Sequence, residues 1–163
     1  MDAFAEKIIT RKKTRVEYFI MGLLFTIWLF LSVFFIFLFS LGFLLDVLML
    51  LGLYYLLKGM NVEYEYAVTN GELDIDRITA KSKRKRIFSA NCKDFEILAR
   101  ASNENFNEAK NIKNIIKAVS SDDSPDIYFI VLHYKESKTL VLFEPDEIML
   151  KTFKNYIPKK VLN

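Results

Sequence analysis

The chain has 163 residues, of which 52% are hydrophobic and 26% charged, with a formal net charge of +3. Its one cysteine, Cys92, excludes an intramolecular disulfide framework and a cysteine-rich metal site. Much of the hydrophobicity is concentrated in one early stretch, so the average describes neither that stretch nor the roughly hundred polar-patterned residues after it, enough for one small domain.

The chain opens with Met1–Arg15, MDAFAEKIITRKKTR. Phe4, Ile8 and Ile9 fall on one face at helical spacing, with Lys7, Arg11 and Lys12 toward the other sides. Two readings fit this cytoplasmic basic segment (1–15): a short helix lying in the membrane interface, or a frayed tail.

Tyr18–Leu57 carries no Lys or Arg and a single acid, Asp46. One helix of that length would run ~60 Å at 1.5 Å per residue, about twice the hydrocarbon core. The stretch therefore predicts two spans, near Tyr18–Ile36 and Leu41–Leu57, folded as a hairpin (16–58) that turns at Ser40 and Gly42. It is too long for a signal-peptide core and lacks a small-residue cleavage site. Arg11, Lys12, Lys13 and Arg15 precede it and Lys58 follows, whereas the turn has no positive charge. Positive-inside counting places both termini in the cytoplasm and the hairpin in the plasma membrane. Tyr18, Tyr54 and Tyr55 then anchor the inner interface, and the lone thiol suits a reducing compartment. Trp28 falls mid-span as a packing residue. Asp46 lies about a turn and a half from the outer end, and a lone carboxylate there fits the outer interface better than an ion path. Gly22, Gly42 and Gly52 do not form a G-x-x-x-G pattern.

Lys58–Asn61 is a linker of at most ~14 Å, so the following domain (59–163) rests close to the headgroups. Val62–Val68 alternates as a half-buried strand with Glu63 and Glu65 on its wet face. Asn70-Gly71 is a hairpin turn, and Leu73–Ile78 returns with Asp74 and Asp76 outward. Lys81–Arg86, KSKRKR, reads as a basic loop entering a third strand at Ile87-Phe88, and Phe95–Ala99 as a fourth. Arg100–Asn107 is a loop. Glu108–Val119 fits a helical turn followed by a brief strand, and Ser120–Pro125 is a loop. Ile127–Tyr134 suits a central strand, and Thr139–Phe143 is the last. Pro145–Ile157 is a helix, started by Pro145 and stopped by Pro158, with Met149, Leu150, Phe153, Tyr156 and Ile157 as its apolar stripe.

The fold class is α+β: a two-helix transmembrane hairpin, then six or seven antiparallel strands and a C-terminal helix. FAEKIITRKKT, VEYEYAVTNGELDID, KRKRIFS and LVLFEPDEIMLKTFKNYIPKKV resemble a family of small bacterial membrane proteins. The order of elements resembles bacterial membrane-anchored pleckstrin-homology-like (PH-like) proteins. The resemblance implies a β-roll whose open corner is plugged by the Met149–Ile157 helix. No activity comes with it. Phosphoinositide-binding relatives of the roll carry basic residues around their first hairpin turn, whereas Thr69–Glu72 has none.

No catalytic, cofactor or metal-ligating constellation is legible. His133 stands alone on a strand, and phosphate-loop, dinucleotide, zinc-protease and C-x-x-C patterns are all missing. The residues with an implied partner are Lys81, Lys83, Arg84, Lys85 and Arg86. They fit the anionic inner leaflet at roughly 1 kcal/mol per residue, or a solvated turn protecting an edge strand. Without stacking aromatics in the cluster, nucleic acid is not expected. The expected function is a non-catalytic interaction module held at the inner leaflet, docking lipid headgroups or a protein. The alternative is an accessory subunit of a membrane complex acting through its hairpin.

Overall fold

The computed structural model describes residues 4–38 and 41–162, so the expected turn residue Ser40 lies outside the described residues. In chain order the elements are β1 (Phe4–Thr10), α1 (Arg15–Leu38), α2 (Gly42–Gly59), β2 (Val62–Thr69), β3 (Glu72–Thr79) and β4 (Lys83–Asn91). They continue with β5 (Phe95–Arg100), α3 (Asn105–Ala109), β6 (Asn114–Lys117), β7 (Tyr128–Tyr134), β8 (Ser137–Phe143), α4 (Glu147–Tyr156) and β9 (Val161–Leu162).

The first element corrects the reading of the N-terminal segment. Phe4–Thr10 is neither an interfacial helix nor a tail; it pairs antiparallel with β2, from Phe4 opposite Thr69 to Thr10 opposite Glu63. Ala5 and Ile9 enter the core while Phe4 and Ile8 remain exposed, the period-two pattern of a strand. A ladder of backbone hydrogen bonds and the burial of Ile9 outweigh a weak local helical preference. The apolar two-helix hairpin is thereby the connection between two neighbouring strands of one sheet. The domain's first strand-to-strand turn is this insertion, with its basic Arg11–Arg15 entry, and Asn70-Gly71 is the second.

α1 starts at a reciprocal cap of the S/T-x-x-E kind. The Glu17 carboxylate accepts the Thr14 N–H (2.8 Å), and the Thr14 hydroxyl accepts the Glu17 N–H (3.3 Å). Both hairpin helices are long and apolar enough to cross a membrane. Gly42, at the start of α2, is buried where a Cβ would lie 2.0 Å from the Phe35 carbonyl oxygen. Only glycine permits that approach of the two helices.

β1–β4 form one antiparallel sheet in sequence order, and the second sheet runs β6-β8-β7-β5-β9. Between them lie Tyr66, Val68, Leu73, Ile75 and Phe88 from the first sheet and Phe95, Leu98, Ile130, Leu132, Val141 and Phe143 from the second. Met149, Phe153 and Ile157 of α4 close this core, with the Phe153 ring 5.9 Å from Phe95 and 6.4 Å from Phe143. Asp146 caps α4, its carboxylate accepting the Met149 N–H at 2.7 Å. The near-continuous apolar run of β7 has a clear cause: its alternate residues Phe129 and Val131 enter a second cluster on the outer face of the sheet, under Phe106 and Ile112. A strand covered on both faces needs no polar side.

Two pairings depart from the all-antiparallel expectation: β6 runs parallel to β8, and β9 runs parallel to β5. The chain between β5 and β7 crosses over through α3 before laying β6 along the free edge of β8. After α4, the segment beyond Pro158 returns along the other free edge, where the Leu98 N–H donates to the Lys160 carbonyl (2.8 Å). The helical turn expected within Glu108–Val119 starts earlier, at Asn105 in the expected loop, and ends at Ala109. β4 also starts earlier than expected: Lys83–Arg86 are strand, paired from Thr79–Lys83 inward.

Candidate functional site at the hairpin junction

The residues expected to meet the membrane divide into three groups. A bulge at Ile75/Asp76 sets the register of β3 and β4, placing Asp76 opposite Arg86 and Ile78 opposite Arg84. Both arginines thus share the outer face of the sheet with the acids of β2 and β3. Arg86 Nε and Nη2 donate to the two Asp76 oxygens at 2.6 and 3.2 Å, and its Nη1 lies 2.7 Å from Asp74. Arg84 Nη2 lies 2.5 Å from Glu65. Glu65 and Asp76 are only 6% and 5% exposed, so what reads as a wet face is an ion-paired layer. The bond to Asp76, with Asp74 nearby, holds the Arg86 guanidinium charged more firmly than usual.

Lys83 and Lys85 occupy the alternate positions, opposite Thr79 and Arg77, and both are exposed. Lys81 stands apart in the β3–β4 turn, at the end of the sheet where the hairpin joins. With ~3.4 Å per residue along a strand, Arg86 lies about 10 Å farther from that end than Lys83.

The junction gathers residues from three distant segments. Lys13 from the entry linker, Lys58 from the last turn of α2 and Lys81 line one cleft of about 360 Å³, with Met21, Tyr54 and Leu57 of the hairpin. Asn61 ties it together. Its side-chain oxygen accepts from Lys13 Nζ at 2.5 Å, its carbonyl accepts the Ala80 N–H at 2.9 Å, and its own N–H donates to the Lys58 carbonyl at 3.2 Å. Among the described residues no ion pair engages Lys13, Lys58 or Lys81. The turn itself is unusual: Ala80 and Lys81 both have φ of +56°. Asn70-Gly71 satisfies the same geometry with the residues it favours; a left-handed Ala-Lys pair costs of order 1 kcal/mol per residue.

On the other side of the linker, Arg11–Arg15 face Lys117 and Ser120–Asp123 across a larger cleft. Here two of the cations are paired with carboxylates, Lys117 with Asp122 and Arg11 with Glu17. The Lys12 N–H donates to the Ser120 carbonyl (2.7 Å), fastening the entry linker to the domain.

Elsewhere the chemistry is sparse. His133 is exposed, 3.6 Å from Glu96. Cys92 is fully buried beneath Gly71, and that burial pushes its thiol pKa up. Among the described residues no group of three His, Cys, Asp or Glu is placed to hold a metal ion. Sequence reasoning used Lys13 and Lys58 only as signs of orientation. Pairing the alternation of FAEKIIT with that of VEYEYAV across the hairpin is the signal that brings them to Lys81.

No curated protein and no solved structure matches the chain. A roll of two sheets plugged by a C-terminal helix and carrying an apolar hairpin agrees with a bacterial family whose model matches residues 1–163. The chain belongs to the family described as "Bacterial PH-like domain (DUF6106)".

Proposed function

We propose that this chain is a membrane-anchored, non-catalytic interaction module whose hairpin crosses the plasma membrane twice. It holds the PH-like domain and both termini at the cytoplasmic leaflet, within reach of anionic headgroups and of a protein partner. One observation carries the reading: β1 and β2, which bracket the hairpin, are paired along their full length. Both ends of the hairpin must then emerge on the same side. The linkers are short, so the domain is fastened twice and cannot swing away. The basic residues around Arg11–Arg15, Lys58, Lys81 and Lys83 cluster at the hairpin end, where positive charge favours the cytoplasmic leaflet. Reporter fusions at Met1 and Asn163 test the topology: both should report cytoplasm, and an extracytoplasmic Asn163 overturns it.

A second reading, an accessory subunit acting through the hairpin, has its own support. Among the described residues, Trp28 Nε1 and one Asp46 carboxylate oxygen are buried without a hydrogen-bond partner, and such groups favour contacts with other helices in a membrane. Exchanging the hairpin for an unrelated two-span hairpin separates the readings. A module keeps its cross-linked partners after the exchange, whereas an accessory subunit loses them.

A further inference from the structure

We infer that the cleft between Lys13, Lys58 and Lys81 is a binding site for the phosphate headgroup of a single anionic phospholipid, with the acyl chains running along Met21, Tyr54 and Leu57. The inference rests on the membrane-anchored reading above and adds a defined site to it. Three features support it together.

The first is charge. Three ammonium groups line about 360 Å³, and no carboxylate lines it with them. Like charges brought together from three segments repel one another, and a phosphate relieves that repulsion. The larger cleft across the linker differs in setting two carboxylates, Asp122 and Asp123, among its five cations, with Lys117 paired to Asp122. The exposed C-terminal carbonyls of a helix would oppose an anion. At the end of α2, however, the Leu57 and Lys58 carbonyls already accept the N–H groups of Met60 and Asn61, both at 3.2 Å.

The second is continuity. Tyr54 is 57% exposed on the hairpin surface, and Met21 and Leu57 flank it at the level where the hairpin meets the domain. A lipid can therefore place its phosphate among the lysines while its chains stay in hydrocarbon; a soluble phosphate has no use for that apolar wall. Tyrosine beside lysine also suits the headgroup level.

The third is construction. Asn61 holds Lys13 with its side chain and the Ala80–Lys81 turn with its carbonyl. That turn retains two strained left-handed residues where Asn-Gly would be free of strain. Lys81 is thereby fixed at the rim of the cleft.

Native mass spectrometry of the full chain, released from nanodiscs of phosphatidylglycerol and phosphatidylcholine, tests the site. The wild type should retain one phosphatidylglycerol in preference to phosphatidylcholine. The Lys13→Gln/Lys58→Gln/Lys81→Gln variant should retain it about tenfold less or weaker still. A variant with Lys110, Lys138 and Lys159 changed to Gln has the same net charge and should behave as wild type. Lys81→Gln alone alters only an exposed turn residue and should give a partial loss, which keeps the test valid if the triple variant misfolds. Excess inorganic phosphate or glycerol phosphate should not displace the lipid. Equal retention by the triple and control variants, no preference between lipids, or displacement by free phosphate overturns the inference. The reporter fusions at Asn163, repeated on the triple variant, show separately whether the topology stands.

Discussion

The hydroxyl of Tyr66 on β2 donates a hydrogen bond of 2.5 Å to the carbonyl of Ala118, just beyond β6, across the core between the two sheets. The same oxygen accepts the Glu144 N–H at 3.3 Å, and the Glu144 carboxylate accepts the N–H and hydroxyl of Ser120. Because the Ser120 carbonyl receives the Lys12 N–H, a chain of polar contacts runs from the middle of the domain to the entry of the hairpin. Tyr66→Phe keeps the ring and leaves the Ala118 carbonyl and Glu144 N–H without this partner, a loss of about 1–3 kcal/mol. Burial raises the Tyr66 pKa well above the ordinary value near 10, with the bond from Glu144 only partly offsetting it. The folded state therefore retains a proton that the unfolded chain releases. Tyr66's contribution is complete below pH ~10 and declines as pH rises from there toward the raised value. Denaturant unfolding at pH 9 and 11 should show a steeper loss for wild type than for Tyr66→Phe; parallel losses refute the buried hydroxyl.

The pairing of β1 with β2 determines which fragment folds. A chain in which residues 12–61 are replaced by a four-residue glycine-rich turn, joining Arg11 to Val62, should be water-soluble and unfold cooperatively. The Arg11 N–H already donates to the Val62 carbonyl at 2.9 Å, so the ends are in place. A fragment beginning at Asn61 lacks β1, loses Ala5 and Ile9 from the core, and opens the edge of β2. It should be less stable by at least about 3 kcal/mol and prone to association. Equal urea midpoints for the two proteins would contradict the sheet order.

The basic strand should respond unequally to substitution. Arg86→Gln leaves the buried Asp76 carboxylate without its two-pronged partner and should cost about 1–3 kcal/mol. Lys83→Gln and Lys85→Gln, on exposed side chains outside the ion pairs, should stay within about 0.5 kcal/mol of wild type. Thermal unfolding of the three variants decides it, and a Lys85→Gln loss as large as that of Arg86→Gln rejects the division.

These tests follow the boundary between what local pattern reveals and what it hides. The hairpin, β2, β3, β7, β8 and α4 were legible because each carries its own periodicity or length signal: Tyr18–Leu57 is too long for one span, and Met149, Phe153 and Ile157 recur at helical spacing. β1 was not, because the strand is made by a partner about fifty residues away and its seven residues suit a helix nearly as well. The roles of Arg84 and Arg86 were hidden for a related reason. Glu65, Asp74 and Asp76 look solvent-facing from alternation alone, and only the register shift at Ile75/Asp76 puts Arg86 opposite Asp76 and both arginines within reach of these acids. Likewise Lys13, Lys58 and Lys81 are far apart in sequence and become one cluster only when the first sheet closes.

The interrupted sheet also has a consequence for biogenesis. On the membrane-anchored reading proposed above, β1 leaves the ribosome about fifty residues before β2 and has to wait, unpaired, while both hairpin helices enter the bilayer. If the second helix failed to return, β1 and β2 would be stranded on opposite sides of the membrane, the core would lack Ala5 and Ile9, and the edge of β2 would be open to proteolysis or aggregation. On that reading, completion of the first sheet would act as a checkpoint on membrane insertion, since only chains whose hairpin has turned back could finish folding.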